Sequence, residues 1–195
     1  MWIRTGLATL AGLAGGSALA LLLVFGPLEI GGAQAGPWRT NLLIGAPDAS
    51  PVLRAAIARR GLLALSRSET VYFNATTDDA GRRLREDCTY RVSLERRPDT
   101  RWWSLTLYAA DDYLAVNGDQ AASITAEQAA PGAGDAMTIM IAATRPDSAP
   151  HWISSRNGGQ FALTLRLYQP ADTIREDPTL AALPAIERLS CGGMG

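Results

Sequence analysis

After Arg4 no charged residue appears until Glu29, and the stretch from Thr5 to Phe25 contains only Leu, Ala, Gly, Val, Thr, Ser and Phe. A helix needs ~20 mainly apolar residues to cross a hydrocarbon core about 30 Å thick, so this stretch has the length and composition of a membrane span. Gly6, Gly12, Gly15 and Gly16 are compatible with that reading, because glycine is more frequent in spans than in soluble helices. Gly12 and Gly16 also form a small-xxx-small pair that lets a second helix approach closely. Arg4 is the sole charge before the span, which puts the N-terminus in the cytoplasm and the rest of the chain on the far side. A cleaved signal peptide is the competing reading, since Ala33-Gln34-Ala35 has the A-x-A pattern. The apolar run exceeds a signal core of about 7–15 residues and Ala35 lies well beyond Phe25, so an uncleaved anchor is preferred. Either way, residues 36–195 are delivered across the membrane. In a bacterium this means a single pass through the inner membrane and a periplasmic domain.

Composition narrows the chemistry. Eighteen basic residues against nineteen acidic ones leave a net charge of −1, without the basic surplus of a nucleic-acid binder. Every basic residue is Arg, so lysine Schiff-base chemistry is excluded. The single histidine, His151, rules out a multi-histidine metal site, and two cysteines cannot make a four-cysteine cluster, so no metal or other cofactor is expected. In an oxidising compartment Cys88 and Cys191 either form a disulfide closing a long loop or stay as free thiols; the sequence leaves both open.

The exported part reads as a helix followed by strands. Residues 1–28 read as the membrane anchor or signal peptide, 29–47 as a linker and entry segment, 48–190 as the folded domain and 191–195 as a tail. Ser50 suits an N-cap, Pro51 the first helical position, Arg60 the last turn and Gly61 the C-cap, around an apolar stripe of Val52, Leu53, Ala56 and Ile57. From Glu69 the period changes to two. Val71, Phe73 and Ala75 share a face, as do Tyr90, Val92 and Leu94, then Trp103, Leu105 and Leu107, then Met137, Ile139 and Ile141, then Phe161, Leu163, Leu165 and Leu167. Turn signals separate them at Thr76–Gly81, Arg97–Thr100, Asn117-Gly118 and Asn157-Gly158-Gly159. Pro184 to Arg188 reads as an edge strand. The pattern predicts a mainly β domain, an antiparallel sandwich with one or two peripheral helices.

Candidate chemistry is sparse. His151 is the only base for a serine nucleophile, with Ser154 and Ser155 near it in sequence, but no Gly-x-Ser-x-Gly elbow is present. Carboxylates pair at Asp78-Asp79, Glu86-Asp87 and Asp111-Asp112; neighbours on a strand point to opposite faces and neighbours on turns are usually solvated. Arg82, Arg83 and Arg85 read as a solvated hairpin arm. The binding candidates are Trp102, Tyr108, His151, Trp152 and Arg156. Trp102 and Tyr108 share with Ser104 and Thr106 the strand face opposite Trp103, a face that is either the wet side of the sandwich or a partner surface.

Four segments in order carry a resemblance: Asp48–Leu63, Glu69–Phe73, Trp102–Tyr108, and the block from His151-Trp152 through Gly159 and Phe161 to Arg166-Leu167-Tyr168-Gln169-Pro170. They resemble the bacterial family called domain of unknown function 1214. His151 stands where the family has Asn, and Ile153-Ser154 where it has Leu-Pro. The resemblance covers nearly all of residues 37–189. It implies a β-sandwich of jelly-roll type and a companion, domain of unknown function 1254, joined by fusion or gene adjacency; it supplies no reaction. The combined expectation is a membrane-anchored binding or interaction subunit of an envelope assembly. Its partner would be the companion or a second copy. The alternative is an envelope hydrolase or carbohydrate-active enzyme using His151 or paired carboxylates.

Overall fold

A computed structural model describes residues 2–25, 32–59, 64–129 and 136–192. Glu29, Arg60 and Gly61 lie outside these residues. Helix α1 (Trp2–Phe25) contains a span, Thr5–Leu23, long and apolar enough to cross a membrane, and none of it is buried against the rest of the chain. Helix α2 (Pro51–Arg59) starts where the cap signals place it: Ser50 Oγ accepts the Leu53 N–H at 3.2 Å.

The remaining elements are mostly strands. They are β1 (Ala33–Ala35), β2 (Trp38–Thr40), β3 (Thr70–Ala75), β4 (Cys88–Leu94), β5 (Thr100–Tyr108), β6 (Ser123–Thr125), β7 (Met137–Ala142), β8 (Trp152–Ser154), β9 (Ala162–Pro170) and β10 (Ala185–Cys191), with a short helix α3 (Asp172–Glu176) and a 3₁₀ turn (Pro178–Leu180) before β10. They form a six-stranded sheet in the order β1-β2-β3-β9-β5-β6 and a four-stranded sheet in the order β10-β4-β7-β8. The domain is thus mainly β, with two sheets behind an apolar N-terminal helix.

Two-residue alternation builds the shared core. On the inner face of the large sheet, register sets Phe73, Leu165, Leu105 and Ile124 in one row and Val71, Leu167 and Trp103 in the next. The small sheet answers with Ile186, Val92 and Ile139, and with Tyr90, Ile141 and Ile153. All of these are buried in one cluster. Tyr90 meets Phe161 edge to face, with ring centres 5.8 Å apart.

Three features depart from the sequence expectation. The sandwich is not purely antiparallel, because β7 and β8 run parallel. The intervening loop turns at Pro146 and Ala149 and carries the chain back to its starting end instead of reversing it as a hairpin. The large sheet also begins at β1, inside the stretch read as linker and entry segment. Trp38 anchors it there, buried with its Nε1 donating to Pro184 O at 2.7 Å. Finally, Asn117-Gly118 does not close a two-residue hairpin. Asn117 Oδ1 accepts the Asp119 N–H and its Nδ2 donates to Arg156 O, so it pins a long loop between β5 and β6.

Candidate functional site

The sequence candidates divide between the two sheets. Trp102 and Tyr108 lie on β5, on the outer face of the large sheet. Trp152 belongs to β8, the edge strand of the small sheet, where its Nε1 donates to Ala142 O at 2.9 Å. His151 precedes it, and its carbonyl accepts the Met140 N–H. Arg156 follows and pairs with Asp119 at 3.3 Å. The Ser154 hydroxyl donates to Asp119 Oδ2 at 2.6 Å, and buried Ser155 donates to Glu86 O. Both serines near His151 are thus committed to partners other than its ring.

The paired carboxylates are structural as well. Asp78 is not a solvated turn residue but is 1% exposed. Its Oδ1 accepts the backbone N–H groups of Ala80 and Arg82, and its Oδ2 takes Arg82 Nε at 3.0 Å. Arg188 Nε also lies 3.0 Å from Asp78 Oδ2, an ion pair rather than an aligned hydrogen bond. Asp79 exchanges hydrogen bonds with Ile186 of β10. Burial pushes its carboxyl above the ordinary value, the Ile186 N–H pulls it back, and the charges of Asp78 and Glu187 push it up again. Glu86 accepts the N–H groups of Asn157 and Gly159, both at 2.9 Å. Asp111 accepts the Tyr113 N–H. The Arg82–Arg85 run is likewise no free arm: Arg82 binds Asp78, Arg83 O accepts from Arg188, and Arg85 binds Asp87.

At the far end of β10, register sets Cys191 opposite Cys88, and their sulfurs are bonded. Among the described residues no cluster of three His, Cys, Asp or Glu side chains is placed to hold a metal ion.

The outer face of the large sheet is different in kind. Register brings Tyr72, Arg166, Ser104 and Thr125 into one row, and Asn74, Thr164, Thr106 and Ser123 into the next. Tyr168 and Trp102 stand beside them with ring centres 5.0 Å apart. Arg166 runs along this face. Its Nη2 donates to the Tyr108 hydroxyl at 2.6 Å, and its guanidinium lies 5.4 Å from the Tyr108 ring centre and 5.9 Å from that of Tyr72. Nη1 is 3.4 Å from Thr106 Oγ1. Thr164 donates to Asn74 Oδ1 at 2.7 Å.

Ser104, Thr106 and Thr164 are buried, so this face is not simply the wet side of the sandwich. Short hydroxyl side chains form its floor, and Trp102, Arg166 and Tyr108 stand above them half-buried. At the rim, Trp102 Nε1 donates to Glu127. Hydrogen bonds from Glu127's own backbone N–H, then from Thr125 and Trp102, hold that carboxylate below its ordinary range.

Among the described residues, no carboxylate forms an ion pair with Arg166. Trp102, Ser104, Thr106 and Tyr108 share this face within one strand, whereas Tyr72, Thr164 and Arg166 join it only through sheet register. The available signal was the run Thr164-Leu-Arg166-Leu-Tyr168, with one charge among polar and aromatic residues on the face opposite the leucines.

These features define a two-sheet β domain carried behind a single apolar helix. The family model described as "Protein of unknown function (DUF1214)" matches residues 69–172, more than half of the chain. The chain belongs to this family. No curated protein matches it. Among solved structures, the VPA0106 protein from Vibrio parahaemolyticus is similar, with a TM-score of 0.58 and 21% identity over 73% of this chain and 36% of that one. An uncharacterized protein from Burkholderia cenocepacia matches with a TM-score of 0.46 and 18% identity, over 62% of this chain and 30% of that one. The chain therefore spans about a third of the length of the solved structures it matches. At these identities the likeness to the Vibrio protein concerns the fold alone.

Proposed function

We propose that this chain is a single-pass inner-membrane protein whose β domain faces the periplasm and serves as a binding subunit of an envelope assembly. The observation that carries the reading is the outer face of the large sheet: an ordered array of aromatic rings and hydroxyls around a cation with no protein counter-charge among the described residues. The lone Arg4 before the span supports the orientation, and the Cys88–Cys191 bond suits an oxidising compartment. The assembly would supply a partner for that outer face. We take that partner to be the companion domain 1254 or a second copy of the chain. The jelly-roll reading is supported by the path of the chain, which changes sheets at β3–β4, β4–β5, β6–β7, β8–β9 and β9–β10. No observation favours the hydrolase alternative, since Ser154, Ser155 and most of the paired carboxylates hold the fold together.

The test is crosslinking of the tagged full chain in native membranes, followed by affinity purification. The reading expects one envelope component to be captured by the wild type and lost from Trp102→Ala, with the fold intact. Recovery of the monomer alone would contradict it.

A further inference from the structure

The chemistry of the outer face specifies a ligand class. Arg166 is half-buried and fixed by neutral groups: the Tyr108 hydroxyl at 2.6 Å, Thr106 Oγ1 at 3.4 Å and two tyrosine rings. Arg188 provides an internal standard. It too lies 5.4 Å from a tyrosine ring centre, that of Tyr90, but Asp78 sits 3.0 Å from its Nε. Among the described residues, the fold supplies a carboxylate to one arginine and none to the other. A planar guanidinium in such a setting pairs best with an oxyanion, above all a carboxylate.

The surroundings restrict which carboxylate. The hydroxyls of Thr106 and Tyr108 touch the cation and Ser104 is its register neighbour on β5; each hydroxyl is able to donate as well as accept. Trp102 and Tyr168 add an aromatic rim one row away. Hydroxyl partners suit the hydroxyls of a sugar, and aromatic rings suit its C–H face. An acidic protein side chain would use the cation and leave the Ser104 hydroxyl and the Trp102–Tyr168 rim unused.

We propose that the outer face of the large sheet binds an acidic saccharide, a uronate unit whose carboxylate sits on Arg166 and whose hydroxyls meet the Ser104–Thr106 floor. This deepens the binding-subunit reading and rests on it.

The test titrates the full chain in detergent micelles with short oligoglucuronates, neutral glucose oligomers and acetate, read by calorimetry and tryptophan fluorescence. Oligoglucuronate should bind roughly tenfold or more tightly than either of the others. Arg166→Gln should lose about tenfold, while Arg96→Gln, in an exposed turn, should bind as the wild type does. Tyr108→Phe removes only the hydroxyl that holds Nη2 and should weaken binding several-fold; it keeps the proposal testable if Arg166→Gln fails to fold. Equal binding of acidic and neutral sugars, no binding of either, or unchanged affinity in a folded Arg166→Gln overturns the assignment. Acetate binding as well as oligoglucuronate overturns the saccharide. If oligoglucuronate fails while Trp102→Ala still loses a crosslinked component in native membranes, the saccharide falls and the binding-subunit reading stands. If both fail, both fall.

Discussion

Two arginines in this domain have nearly the same local geometry and opposite fates. Arg188 and Arg166 each lie 5.4 Å from the centre of a tyrosine ring, on β10 and β9. Arg188 is closed in: Asp78 is 1% exposed and takes both Arg188 and Arg82. Around this pair β10 is clasped by Asp79 to Ile186, by Trp38 to Pro184 and by the disulfide at Cys191. Among the described residues, Arg166 meets hydroxyls and rings and no carboxylate. The difference separates charge used to hold the fold from charge left to act on something else.

The largest effect should come from breaking the closed member of the pair. Asp78→Ala removes a buried carboxylate and leaves the partly buried Arg188 without its charged partner; breaking a buried pair typically costs about 3–5 kcal/mol, and urea unfolding in detergent should show a loss toward the lower end of that range. Opening the Cys88–Cys191 bond, which spans 103 residues, should remove about 2–4 kcal/mol of stability, seen as a lower denaturation midpoint under reducing conditions. Arg166→Gln should sharpen the contrast by changing stability less than about 1 kcal/mol, because among the described residues it breaks no ion pair. A large destabilisation there would mean that Arg166 is structural and that the two arginines do not differ.

The smallest effect is at the rim. Glu127 is held below its ordinary range, so its hydrogen bond to Trp102 is present above the usual glutamate range and lost only as the pH falls through the lowered value. Trp102 fluorescence should therefore titrate below the usual glutamate range in the wild type, and that step should vanish in Glu127→Gln.

The strands were legible because large apolar residues recur at every second position along β4, β5, β7 and β9, set mostly against polar residues in β4, β5 and β9. The helical span was legible from its missing charges and α2 from its Ser50-Pro51 cap. Pairing across long separations was not legible. Nothing local in Trp38 announces that its indole closes on Pro184, 146 residues away, and nothing in Asp78 announces Arg188. The outer face was half legible for the same reason. Trp102 and Tyr108 stand out within one strand, but Arg166 acquires its setting from Tyr72 on β3 and from Thr106 and Tyr108 on β5, so the site exists only once the sheet is assembled.

A photo-crosslinking amino acid placed in native membranes addresses the outer face most directly. Position 123 lies on that face beside Thr106, and position 93, on β4 of the other sheet, serves as the control. The account predicts a covalent adduct, of protein or glycan, from position 123 in the wild type, its loss in Arg166→Gln, and none from position 93. Adducts from position 93 alone, or an adduct at 123 that persists unchanged without Arg166, would contradict it.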